Sequence, residues 1–241
     1  MYNQLSQQKS SVYLCQFEKV IYLMRILTIS VLLLTACCSE SFAADEKETE
    51  WVLAKNNKGV KVYTRKVEGI DFKEFKGIIT IKTSLASLVA LVGDVEAAPD
   101  WLANCSKSRL LKRINSTETY TYSLSKAPWP VKDRDAIVHN VVSQDKRSLA
   151  VTIKQTGKPD YIKAKKNITR VKRIEGFWKF TPQKDGDVEV VYQVLSDPGG
   201  DIPAWLVNAS LVSQPYETLL KMQKVIKREK YQKAKLGFIK E

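Results

Sequence analysis

"DVEVVYQVLSDPGGDIPAWLVN", Asp187 to Asn208, holds a strand, a turn and a helix start in one short stretch. Val188, Val190, Tyr192 and Val194 alternate with Asp187, Glu189, Val191 and Gln193, which is the pattern of a half-buried strand. Asp197-Pro198-Gly199-Gly200 then reads as a turn: Pro198 fixes φ, and the two glycines permit positive φ. A helix is predicted next, over 202–233, with Asp201 as N-cap and Pro203 in its first turn. Leu211, Val212, Leu219, Met222 and Ile226 supply its apolar stripe, and Pro215 is expected to kink it. The first turn of this helix, Ala204 to Val207, is almost wholly apolar and carries Trp205.

Upstream, strands dominate. Residues 44–58 read as a short helix anchored by Trp51, and 84–98 as a second helical stretch ended by Pro99-Asp100-Trp101. Period-2 patterning marks strands at 59–65 and 72–82, and nearly all of 105–196 is strand. "TETYTYSLS", Thr117 to Ser125, sets Tyr120, Tyr122 and Leu124 on one face and threonines on the other. "TPQKDGD", Thr181 to Asp187, is a hairpin loop with Asp-Gly at its tip. The expected order is α-β-β-α-β-β-β-β-β-β-α, an α+β fold in one domain over 44–241. An antiparallel sheet needs cover on its apolar face, and the principal cover here is one long C-terminal helix. The inward set is mixed (Ile81, Val138, Asn140, Val151, Val190), so a cavity between sheet and helix is expected.

The N-terminus reads as a targeting segment. Met24-Arg25 precedes "ILTISVLLLTA", an apolar run too short to span a bilayer, followed by "CCSESFAADE". Residues 1–43 are therefore expected to be an extension plus a secretory signal, with Met24 the true start. Cleavage after Ala43 gives a periplasmic or secreted protein; the lipobox-like Leu34-Thr35-Ala36-Cys37 offers the alternative of a lipoprotein anchored through Cys37. Three of the four cysteines fall in this segment, leaving Cys105 as a lone buried thiol and no disulfide framework. The whole chain has 39 basic and 26 acidic residues; removing Lys9, Lys19, Arg25, Glu18 and Glu40 leaves a net charge of +12. That charge favours anionic partners. Lys221, Lys224, Lys227, Arg228 and Lys230 on the last helix are read either as a docking face for anionic bilayers or as an ordinary solvated face.

Catalytic chemistry is poorly supplied. The single histidine, His139, cannot build a His-based metal cluster, and no Gly-rich phosphate loop or spaced carboxylate pair is present. No catalytic residue, metal or cofactor is expected. Basic and aromatic residues form no nucleic-acid module, and the export signal argues against that partner. "APWPVKDRDAIVHN", Ala127 to Asn140, joins a rigid Pro-Trp-Pro turn to Arg134-Asp135 at a strand entry. Neighbours on a strand point to opposite faces, so these two cannot pair with each other, and each must find another partner.

"WPV-x-x-RD" (Trp129 to Asp135), "G-x-W-x-x-x-P" (Gly176 to Pro182) and "DPGG-x-IP-x-W-x-x-N" (Asp197 to Asn208), in this order, resemble the START family of lipid-transfer domains. Trp51 with "GVKVYTR" and Asp100-Trp101 add to the likeness, which covers roughly 48–230. The resemblance implies a helix-grip fold, a curved antiparallel sheet wrapped around a long C-terminal helix with an apolar tunnel for one lipid. It also implies a gate formed by the loop before the last helix and that helix's first turns. Gly199 and Gly200 become candidate hinges, and Arg134 and Asp135 a structural motif. The residues expected to meet the ligand are Tyr120, Tyr122, Val138, Asn140, Trp178, Tyr192, Trp205 and Leu206. For Trp205 a seal under a tight turn is the alternative. Some eukaryotic members of that family carry a charge six residues after the Arg of the pair; Asn140 stands there, implying a neutral, hydrogen-bonding tunnel. The function expected is non-catalytic binding and transfer of a lipid by a monomer that docks on membrane surfaces. A helix-grip enzyme acting on a small aromatic or polyketide-like ligand, and a lipid sensor working through a protein partner, are the alternatives.

Overall fold

A computed structural model describes residues 50–241, apart from Pro128, Pro130 and Asp201. The expected signal segment, with Met24 and Cys37, and the Asp201 cap lie outside the described residues. Within them the chain builds one curved sheet. Its strands are β1 (Val52–Asn57), β2 (Val60–Val67), β3 (Ile70–Lys82), β4 (Cys105–Arg113), β5 (Glu118–Ser125), β6 (Arg134–Gln144), β7 (Val151–Gly157), β8 (Thr169–Arg170), β9 (Arg173–Pro182) and β10 (Asp187–Asp197). The spatial order is β1-β2-β3-β10-β9-β7-β6-β5-β4, antiparallel throughout, with β8 added parallel to the start of β6. Helices α1 (Leu85–Gly93) and α2 (Ala98–Trp101) follow β3; α3 (Ala204–Ser210), α4 (Ser213–Val225) and α5 (Glu229–Gln232) close the chain.

Three expectations fail for local reasons. Residues 52–57 form a strand rather than part of a helix. Lys58 and Gly59 both take positive φ (49° and 75°), the type I′ geometry that folds a two-residue hairpin and pairs β1 with β2. Trp51 then lies beside the Arg65 guanidinium and Lys76 ammonium, 4.5 and 4.3 Å from its ring centre. The terminal helix is also not continuous. It breaks at Leu211–Val212, one turn before Pro215, because a proline cannot bond to the carbonyl four residues back and its ring crowds that position. Pro99, expected to end a helix, instead starts α2 from its first turn.

The grip itself rests on α4. Pro215, Tyr216, Thr218, Leu219, Met222 and Val225 are buried against the concave side of the sheet. A Cβ on Gly77 of β3 would stand 2.8 Å from Leu219 Cδ1, so glycine at 77 lets helix and strand approach. Thr218 Oγ1 accepts from the Ala103 amide at 3.1 Å, tying α4 to the segment after α2. Val60, Val62, Ile79, Phe180 and Val190 form the core between them.

Candidate functional site

The concave side of the sheet and the helices leave a cavity of about 780 Å³, within the usual range for small-molecule sites. Its two walls differ. One is polar: Thr119, Thr121, Ser123 and Ser125 follow one another on the inner face of β5, with Ser108 of β4 and Asn140 of β6 beside them. The other is apolar and aromatic, from Phe75, Trp101, Trp178 and Tyr192 with Val89 and Val92 of α1. Trp178 and Tyr192 are cross-strand partners stacked at 3.8 Å and 3°. Phe75 meets Tyr192 edge-on at 5.1 Å, and Trp101 meets Trp178 at 5.6 Å. Burial pushes the Tyr192 phenol far above its ordinary pKa, so it stays a neutral hydroxyl.

The register explains the lining. Arg134, Ala136, Val138, Asn140 and Val142 of β6 face inward, and Asp135, Ile137 and His139 face outward. Asn140 Nδ2 donates to Thr121 Oγ1 (3.1 Å) and the Val138 carbonyl (3.2 Å), and its Oδ1 accepts from Gln155 Nε2 (3.1 Å). The neutral hydrogen-bonding group expected there is thus present and already engaged. The cavity runs along β6. At the Arg134 end it meets Val131, Pro198, Ile202 and Leu206; at the Val142 end it meets Leu236 and Phe238 of the C-terminal tail.

Of the expected ligand residues, Val138, Asn140, Trp178, Tyr192 and Leu206 line the cavity, and Tyr120, Tyr122 and Trp205 do not. The alternation read in β5 is right, but its tyrosines point the other way. Tyr120 is stacked between His139 (4.5 Å) and Tyr161 (4.4 Å) on the convex face. Tyr122 is buried beneath Lys165 and Arg109, whose cations lie 4.9 and 5.3 Å from its ring centre. The segment 158–168 covers them, so the bulky residues pack outside and the small hydroxyls border the open space. His139 Nε2 lies 2.8 Å from Glu118 Oε1, also outside. Trp205 is 71% exposed and seals nothing, whereas Leu206 beside it, also partly exposed, borders the cavity.

Asp135 and Arg134 do part company. Asp135 is 1% exposed and takes both Nε (2.7 Å) and Nη2 (3.1 Å) of Arg170. Arg170 Nη1 also donates to the carbonyls of Pro159 and Ile162, which pins the segment 158–168. Arg134 borders the cavity, a placement the sequence reading missed. Gly199 (φ 67°) and Gly200 (φ 73°) use the freedom expected of them, and Gly199 is also packed: a Cβ would stand 2.6 Å from the Arg170 carbonyl. Asn208 closes the motif by accepting from the Lys73 amide at 3.0 Å, holding α3 to the start of β3. Cys105 is buried and free, its thiol pushed up by desolvation. Among the described residues no cluster of His, Cys, Asp or Glu is placed to hold a metal.

A family model, the START domain, matches residues 32–231. An uncharacterized protein of Pseudomonas aeruginosa is 39% identical over 171 residues, 70% of this chain and 83% of its own length. A STAR-related lipid transfer protein of Xanthomonas axonopodis has a crystal structure similar to this chain, with a TM-score of 0.70 at 36% identity, covering 74% of this chain and 99% of that one. Human StAR-related lipid transfer protein 5 shares the fold at 14% identity, with a TM-score of 0.67 over 86% of this chain and 96% of its own. The motif order, the sheet gripping α4 and the cavity between them agree with these likenesses: the chain belongs to the START domain family.

Proposed function

We propose that this protein binds one lipid or similar hydrophobic ligand in its cavity and carries it between membranes of the bacterial envelope, without catalysis. The observation that carries the reading is the cavity, about 780 Å³ with an aromatic and aliphatic wall. Burying apolar chains contributes about 0.8 kcal/mol per CH₂, enough for such a site to compete with a bilayer. The non-catalytic part is supported by His139, the strongest acid–base candidate, which lies on the convex face and not in the cavity.

Release at a membrane is supported by the Arg134 end. Trp129 (93% exposed) and Trp205 stand on the two segments that border that mouth. Lys132, Lys163, Lys166 and Lys172 are exposed in the same segments or next to them. The last-helix cations serve this less well, since Arg228 pairs with Asp100 and Lys230 with Asp94. Export to the periplasm, either soluble after cleavage near Ala43 or anchored through Cys37, accords with the N-terminal sequence.

Native mass spectrometry of protein from its own host tests ligand and processing together. A co-purifying lipid and an N-terminus at Ala44 or a lipidated Cys37 are expected. Delipidated protein that binds no fluorescent lipid and does not speed transfer between vesicles overturns the reading. Binding to anionic vesicles is expected to fall steeply between low and physiological salt.

A further inference from the structure

We propose that Arg134 seats an acidic group at one end of the ligand, so that this cavity selects lipids ending in a carboxylate or a phosphate monoester over neutral ones of the same chain. The inference rests on the lipid-binding reading above and names the class of lipid.

The argument is one of unfilled donors. Arg134 Nη1 is anchored on the Lys132 carbonyl. Among the described residues its buried Nε has no partner, and none accepts from Nη2. These two N–H groups form the side-on edge of the guanidinium, which matches the two oxygens of a carboxylate or phosphate. Arg170, one strand away, shows that edge filled, with Nε and Nη2 both on Asp135. Arg134 has no such carboxylate among the described residues. The nearest acid, Asp133, is engaged by Lys126 Nζ at 2.7 Å and the Ala127 amide. Burial lowers the Arg134 pKa, and the charge of Asp133 offsets that only in part.

The surroundings suit an oxyanion. Ser125 is paired directly across from Arg134 and faces the cavity with its hydroxyl unengaged among the described residues. Ser196 lines the same end. Gly200 lies over the site, its missing Cβ 3.8 Å from Nη2, so the glycine turn packs against the end where the acidic group would sit.

The test is displacement of a fluorescent fatty acid from delipidated protein by a chain-matched series: oleic acid, oleyl phosphate, oleyl alcohol and methyl oleate. The acid and the phosphate are expected to bind about tenfold or more tighter than the alcohol and the ester. That advantage should vanish in Arg134→Gln and shrink in Arg134→Lys, which keeps the charge and loses the fork. The wild-type series stands even if a variant fails to fold. Equal affinity across the series overturns the acidic-end assignment and leaves lipid binding intact. No binding of any member, fluorescent probe included, overturns the lipid reading itself. Inorganic phosphate that displaces the probe as well as oleyl phosphate does shows a free-anion site and also overturns the proposal.

Discussion

Replacing Asp135 by Ala should be among the most destabilising single changes away from the apolar core. The carboxylate is 1% exposed and its partner guanidinium 10% exposed, so neither is solvated in the fold. Truncating Asp135 leaves Arg170 a buried charge with, among the described residues, only the Pro159 and Ile162 carbonyls to accept from it. Breaking a buried pair by removing one partner costs about 3–5 kcal/mol. In a domain of this size each kcal/mol shifts Tm by about 2–4 °C, so a drop of roughly 6–20 °C is expected. The loss should reach the turn at 197–200, because Gly199 rests on the Arg170 carbonyl and the Lys172 amide donates to the Asp197 carbonyl at 3.0 Å. Thermal melts by circular dichroism measure the drop, and limited proteolysis should cut first within 158–168. A double variant, Asp135→Leu with Arg170→Met, removes both charges and should recover much of the lost stability. A Tm loss below about 3 °C for Asp135→Ala, or a double variant worse than the single, refutes the assignment of a buried, mutually dependent pair.

Three further outcomes follow from the two faces of the sheet and from α5. Tyr122→Phe removes a buried hydroxyl without a partner, so thermal stability should hold or rise by up to about 1 kcal/mol with lipid binding unchanged; a loss of binding would return Tyr122 to the cavity. Ser123→Leu projects an isobutyl group into the cavity and should abolish ligand uptake, followed by probe titration, while the melt is preserved; undiminished uptake would contradict the lining. For Asp94, burial works to raise the carboxyl pKa, but hydrogen bonds from Lys230 (2.6 Å) and Tyr231 (3.0 Å) prevail and hold it below its ordinary value. A depressed carboxylate contributes stability above its unfolded pKa, near 4, and loses it as pH falls through the folded value. Asp94→Asn should therefore cost about 1 kcal/mol at pH 7, with the gap from wild type narrowing as pH falls below 4 in paired melts; a gap that does not narrow at all on acidification would rule out the charge as its cause.

The fold was legible because the signals it needs are local. Alternation marks β10, β5 and β3, and the Asp-Gly tip marks the β9–β10 hairpin. The glycine turn at 199–200 sets where sheet becomes helix. What was misread depended on contacts. The strand at 52–57 is an exposed edge with weak alternation, and only the Lys58-Gly59 turn, with a lysine in an unusual left-handed conformation, pairs it with β2. The kink expected of Pro215 is there, but as a full break one turn upstream, at 211–212, so the one long helix expected becomes separate pieces. Arg134 was read as a structural residue because an adjacent Arg-Asp pair looks like a turn clamp. Only the register shows that one member faces the ligand space and the other the covering segment.

The error on β5 has a more general cause. Reading Tyr120 and Tyr122 as inward applies the rule that the apolar face of a strand meets the core. That rule assumes the interior is filled by side chains. Where the interior is to be filled by a ligand, large residues on the inner face would occupy its space, and small ones leave room. β5 therefore carries threonine and serine inward and sends its tyrosines out, where segment 158–168 buries them. Hydroxyls on that wall contribute little to folding: among the described residues those of Thr119, Ser123 and Ser125 bond to nothing in the protein. A row of unengaged donors ending at an unfilled guanidinium edge is poor design for an empty core and good design for an oxygen-bearing guest. The same residues that make β5 look wrongly patterned as a core strand are the ones that would distinguish an acidic lipid from a plain hydrocarbon.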